Sequence, residues 1–72
     1  LLYPIPSTGT IFLEILGPAL GETAIIYDTK GKIVYSKKIK YKKNTLNLKF
    51  LATGVYYLQY HENVSKLIIQ RP

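Results

Sequence analysis

The sequence predicts an all-β domain: a small immunoglobulin-like antiparallel β-sandwich of about seven strands. Three observations lead there. Strand-like runs recur about every ten residues, with Gly, Pro, Asn or Asp between them. No segment carries apolar residues at the i, i+3, i+4 spacing of an amphipathic helix. And residues 55–60, Val-Tyr-Tyr-Leu-Gln-Tyr, are mostly β-branched or aromatic, the composition that suits a pleated, buried surface.

Tyr3-Pro4-Ile5-Pro6-Ser7-Thr8-Gly9 is an opening segment. Proline fixes φ and donates no hydrogen bond, so two prolines one residue apart give an extended stretch that stays outside a ladder, and Ser7-Thr8-Gly9 then turns the chain. Residues 10–16 alternate, with Ile11, Leu13 and Ile15 on one face and Phe12, Glu14 and Leu16 on the other, wetter one. Gly17-Pro18-Ala19-Leu20-Gly21-Glu22 is a loop. Residues 23–28 form the next strand, with Ala24 and Ile26 opposite Ile25 and Tyr27. Asp28-Thr29-Lys30-Gly31 is a turn: Asp bonds the backbone ahead of it, and Gly at the fourth position suits a hairpin with a bulge.

Residues 32–39 make the return strand, and residues 40–44 read as a solvated connection or a frayed edge. Residues 45–48 alternate with Leu46 and Leu48 inward. Leu51-Ala52-Thr53-Gly54 carries the chain into strand 55–60, which is apolar on both faces and so belongs mid-sheet, covered on both sides. His61-Glu62-Asn63 is a polar turn, and residues 64–70 are the last strand. The predicted core is Ile11, Leu13, Ile15, Ala24, Ile26, Val34, Leu46, Leu48, Leu51, Tyr56, Leu58 and Leu67, with Tyr60 beside them.

The chain has 72 residues, one small domain. It opens on Leu1-Leu2-Tyr3-Pro4 without Met, so the expectation is a module, residues 1–72, cut from a larger secreted protein. Having no Cys, it makes no disulfide, thiolate metal site or thiol nucleophile. No apolar run approaches the roughly 18 residues of a membrane span. Ten basic residues face four acidic ones, nine of the ten are Lys, and half of them fall within residues 37–43. That patterning predicts one basic face.

Candidate chemistry is sparse. A Ser-His-Asp unit would have to combine His61 and Asp28 with Ser7, Ser36 or Ser65, and no spacing supports it. Glu14, Glu22, Asp28 and Glu62 sit in four different elements, and there is no metal-ligand cluster. The expectation is therefore no enzyme, no cofactor and no metal. Lys37, Lys38, Lys40, Lys42 and Lys43, with Tyr35 and Tyr41, could neutralise phosphates and stack on bases. The favoured alternative is a lysine-guarded strand edge, and the scarcity of Arg argues against bidentate phosphate recognition. Tyr27, Tyr35 and Tyr57 are candidates for an exposed aromatic cluster, which would suit a carbohydrate-binding or spacer module of a secreted hydrolase.

Three blocks together resemble the type A C-terminal sorting domain of the type IX (Por) secretion system of Bacteroidetes. Tyr3-Pro4-Ile5-Pro6-Ser7-Thr8-Gly9 is similar to its Tyr-Pro-Asn-Pro-x-x-Gly opening, with Ile5 where the family usually has Asn. Ile26-Tyr27-Asp28-Thr29-Lys30-Gly31-Lys32-Ile33-Val34 is similar to its Ile-Tyr-Asp-x-x-Gly-Lys-x-Val, and residues 51–58, including Gly54 and Tyr56, to its Leu-x-x-Gly-x-Tyr-x-Leu. Lys66, Leu67, Ile68 and Ile69 resemble its basic-apolar terminal strand. The resemblance implies a non-catalytic address at the end of a cargo protein. Its partners would be the outer-membrane translocon and a sortase-like cysteine protease that removes the domain upstream of Leu1. Nucleic acid would not be a partner. The route would run through the periplasm to the cell surface or medium. It also implies recognition through the terminal strand, whose edge offers unpaired backbone groups.

Overall fold

Among the described residues of the computed structural model, 2–4, 6–17 and 20–71, seven strands form. They are β1 (Leu2–Tyr3), β2 (Thr10–Glu14), β3 (Thr23–Tyr27), β4 (Ile33–Lys38), β5 (Lys43–Asn47), β6 (Gly54–Tyr60) and β7 (Asn63–Ile69). They build two antiparallel sheets, ordered β1-β2-β5 and β4-β3-β6-β7. Leu1, Ile5, Pro18, Ala19 and Pro72 lie outside the described residues, and with them part of the opening segment and of the loop at 17–22.

Alternation makes these strands a sandwich. Along β2, Ile11 and Leu13 are buried while Phe12 is exposed; along β6, Tyr56, Leu58 and Tyr60 are buried while Tyr57 and Gln59 are exposed. The inward sets of both sheets meet in one apolar cluster. In the immunoglobulin constant-type layout the fourth strand lies beside the fifth. Here β4 lies beside β3 instead, because the short turn at Asp28 folds β4 straight back on β3.

That hairpin corrects one core assignment. Tyr27 pairs with Ile33, but Ile26 pairs with Tyr35, so Val34 is the extra residue of a β-bulge. A bulge shifts every later residue by one place, and a one-place shift exchanges the faces. Tyr35 thus takes the position opposite Ile26, and Val34 and Tyr35 are both half-buried at the margin of the core. The same parity carries Ile39, absent from the predicted core, to full burial. Its amide donates to the Glu22 carbonyl (2.9 Å), and its own carbonyl accepts from the Gly21 amide (2.7 Å).

Two further expectations change. Residues 43 and 44 belong to β5 rather than to a solvated connection. Asn44 is buried, its side-chain amide donating to the carbonyls of Tyr41 (2.8 Å) and Leu13 (3.4 Å). It shares the parity of Leu46 and Leu48, and two acceptors offset the cost of withdrawing a polar group from water. β6 is mid-sheet as expected, between β3 and β7, but it is covered on one face only. A two-layer sandwich has nothing to lay on the outer face of a sheet, where Tyr57 instead lies opposite Tyr27.

Every other predicted core residue is buried, and Ile69 joins them. Ile39→Ala is expected to lower unfolding free energy by about 3 kcal/mol, whereas Ile33→Ala, on a side chain that is 55% exposed, is expected to cost under about 1 kcal/mol. Urea midpoints at equal m-values measure both, and equal losses would contradict the shift in parity.

Candidate functional site

The opening segment crosses from one sheet to the other. Tyr3 is in register with Phe12 on the outer face of the three-stranded sheet, their ring centroids 5.6 Å apart. Pro4 and Pro6 are exposed, and Ser7 then reaches β7. The Ser7 amide donates to the Ile68 carbonyl (2.9 Å), and the Ser7 carbonyl accepts from the Gln70 amide (2.8 Å). Its hydroxyl donates to the Thr10 carbonyl (2.7 Å) and accepts from the Gly9 amide (3.0 Å), and the residue is buried. Gly9 is required twice over. Its φ is +136°, and a Cβ there would stand 3.0 Å from Lys49 Cγ and 3.2 Å from Lys49 Cα.

The second block makes its turn as the sequence suggests. The Asp28 carboxylate accepts from the amides of Lys30 (2.8 Å) and Lys32 (2.9 Å), and Gly31 has φ +84°. The Lys32 amide is the main influence that holds the Asp28 carboxyl below its ordinary value. Partial loss of water pushes the other way, and the Lys30 amide and the charges of Lys32 and Lys30 reinforce the lowering.

The third block and the terminal strand are one ladder. Gly54 pairs with Ile69, Val55 with Ile68, Tyr56 with Leu67 and Tyr57 with Lys66. This alternation divides the terminal motif in two. Leu67 and Ile69 are fully buried, while Lys66 and Ile68 stand on the outer face. Tyr56 is buried, and its hydroxyl donates to the Ala52 carbonyl (2.7 Å), so it shapes the turn that precedes it.

These blocks meet at one end of the sandwich. Gly54 with Ile69, the turn after Tyr27, and Gly9, whose carbonyl accepts from the Leu48 amide (2.7 Å), all lie there. A shallow cleft of about 240 Å³ between Pro6, Ser7, Thr8, Gln70 and Arg71 marks the junction. Arg71, which sequence reasoning passed over, ties it shut. Its guanidinium donates to the carbonyls of Leu48, Lys49 and Leu51, and its amide to Thr53 Oγ1 (3.2 Å). The hint was that it is the chain's lone Arg, beside the last strand; Ser7 could have been found as a Ser two places before a Gly, an ordinary side-chain turn. Tyr3 stays apart on its outer face.

Leu2 pairs with Leu13 at the opposite end, beside an apolar cleft of about 480 Å³ between the sheets. His61 lies there with φ +56°, its Nδ1 against the Glu22 carboxylate rather than Asp28. Among the described residues no serine hydroxyl is hydrogen-bonded to His61, and no three His, Asp or Glu side chains could hold a metal. The aromatic cluster is reduced too: Tyr27 and Tyr57 are neighbours on the outer face, but Tyr35 turns inward against Phe50, ring centroids 6.0 Å apart.

Comparison with known proteins gives two matches. The family model for the secretion system C-terminal sorting domain covers residues 1–70. Beta-agarase A of Zobellia galactanivorans is 28% identical over 69 residues, which is 96% of this chain and 13% of the agarase. The chain thus spans a small fraction of that relative's length. No solved structure matches significantly.

Gly9→Ala is expected to destabilise the domain by about 2–3 kcal/mol, since it combines an unfavourable φ with contact against backbone. A loss below about 0.5 kcal/mol in chemical denaturation would mean that the crossing tolerates a side chain. For Asp28 the folded pKa is lowered, so its contribution is complete above its ordinary value near 3.8 and is lost as pH falls through the lowered one. The stability difference between the native chain and Asp28→Ala should therefore be constant near neutrality and shrink in acid; a difference that does not change with pH would remove the carboxylate from the account.

Proposed function

We propose a function on one premise: the chain belongs to the secretion system C-terminal sorting domain family. Membership implies a type IX secretion role, a cargo protein on the N-terminal side and export to the cell surface or medium. Our reading is that the domain is a non-catalytic address. It directs its cargo from the periplasm across the outer membrane and is removed afterwards by a sortase-like cysteine protease acting before Leu1.

The match across residues 1–70 carries this reading. The geometry adds support. The opening, hairpin and terminal blocks gather at one end, while Leu2, from which the cargo would lead away, pairs near the other. A translocon can then approach the gathered end without meeting the cargo. The side chains available to it are those turned outward, among them Pro6, Lys32, Lys66 and Ile68, with the cleft beside Gln70. Leu67, Ile69 and Tyr56 would act indirectly, by keeping that end folded. β7 is the outer strand of its sheet, and Ser7 covers its edge at Ile69. Strand addition by a partner would therefore use the part of β7 before that bridge.

A fluorescent protein with a signal peptide in front and residues 1–72 behind should leave the cell only in a host with an intact type IX translocon. Retention in the periplasm of both the competent host and its translocon mutant would overturn the proposal. Deleting residues 66–72 should also stop export, but it removes Leu67 and Ile69 from the core and so tests folding as well. Lys66→Glu separates the two. Export is expected to fall severalfold while Tm moves by less than about 2 °C; unchanged export would take Lys66 out of the recognition surface.

A further inference from the structure

We propose that the flank made by β4, the connection at 39–42 and β5 docks on an anionic lipid surface, with lipid phosphates as the partner groups. This inference concerns a different face from the sorting blocks and does not rest on the sorting role.

β4 and β5 are the outermost strands of their respective sheets and lie on the same side of the sandwich. The Lys37 ammonium donates across the gap to the Thr45 carbonyl (3.4 Å), and Tyr35 of β4 meets Phe50 just after β5. Lys37, Lys38, Lys40, Lys42 and Lys43 are all exposed on this flank. Its carboxylates are few or engaged. Glu22 is tied through its backbone to Ile39, between Lys38 and Lys40, yet its carboxylate is turned to His61. Asp28 is held in its own turn and Glu62 lies between β6 and β7; Glu14, opposite Lys43 in the ladder, is the one acidic neighbour. Among the described residues, Lys37, Lys38, Lys40 and Lys42 make no ion pair with a carboxylate.

Guarding a strand edge accounts for Lys37, Lys38 and Lys43, which lie on β4 and β5, but not for Lys40 and Lys42. A guard is needed where a ladder is open, but Lys40 and Lys42 lie on the connection, off both strands. Between them Tyr41 is 71% exposed, and Phe50, further along the flank, is 62% exposed. Lysines with an aromatic ring among them match the two layers of a membrane interface. The ammoniums reach phosphates on flexible stems, and the rings settle at headgroup depth. Lys rather than Arg also fits a fluid field of phosphates better than one fixed bidentate site.

The test is co-sedimentation of the 72-residue chain with vesicles of phosphatidylcholine alone or with about 30% phosphatidylglycerol, at low and raised salt. Binding is expected to the anionic vesicles only, and to weaken with salt. Lys40→Gln with Lys42→Gln, both on the exposed connection, should weaken it about 25-fold, at about fivefold for each lysine near the surface. Tyr41→Ala should weaken it while leaving the salt dependence unchanged. No binding to anionic vesicles, or equal binding by the double variant, would overturn the proposal. So would tighter binding to single-stranded DNA than to vesicles at equal phosphate, which would assign the flank to nucleic acid.

Discussion

The structure depends most on the hydrogen bonds of one buried residue, Ser7. Its main chain belongs to the ladder of β7 and its hydroxyl to the carbonyl of Thr10 at the start of β2, so it fastens the two sheets where side-chain packing alone would let them slide. A domain of 72 residues without Cys has no covalent staple and a modest core. Under that constraint the seam at Ser7 and the contacts of Arg71 with the turn at Leu48 to Leu51 take the place of a cross-link, and with this end closed the inward faces of β2, β3, β5, β6 and β7 can fill one another.

Much of this was legible in the residues. The turn at Asp28 announced itself through an acid that bonds ahead and a glycine where φ is positive, and the alternation in β2 and β6 identified the inward faces. The errors along β4 share one cause: face assignments are counted from a reference point, and the count is only as good as the register. One bulge at Val34 put Tyr35 opposite Ile26, left both Val34 and Tyr35 half-buried at the margin of the core, and carried Ile39 inside. Asn44 was misread for a different reason. Its polarity suggested solvent, while its place two before Leu46 put it in the core, and the carbonyls that satisfy it come from Leu13 and Tyr41, the former 31 residues away in sequence. No local pattern announces a partner at that distance.

The blocks that carry the family likeness turn out to be mixed in kind. Gly9, Asp28 and Gly31 set backbone paths; Tyr56, Leu67 and Ile69 fill the core; Pro4, Pro6, Lys66 and Ile68 face outward. A sequence motif does not separate these roles, because a residue that builds a surface from beneath and one that presents it can be neighbours on a strand. The fold separates them by alternation alone. The basic flank shows the complementary lesson. Its composition was plain in the sequence, but whether its lysines guard an edge or stand beyond it depends on where β4 stops and β5 begins.

The pairing of Ser7 with Ile69 has a consequence for synthesis. Nearly the whole chain separates the two residues, so the seam cannot form until the last strand is available. A polypeptide broken off before that point leaves Tyr56 and Leu58 without the strand that covers their edge, and the opening segment without its ladder. Folding of this domain therefore waits on β7: a chain that includes it can close the seam with Ser7, and one broken off before it cannot.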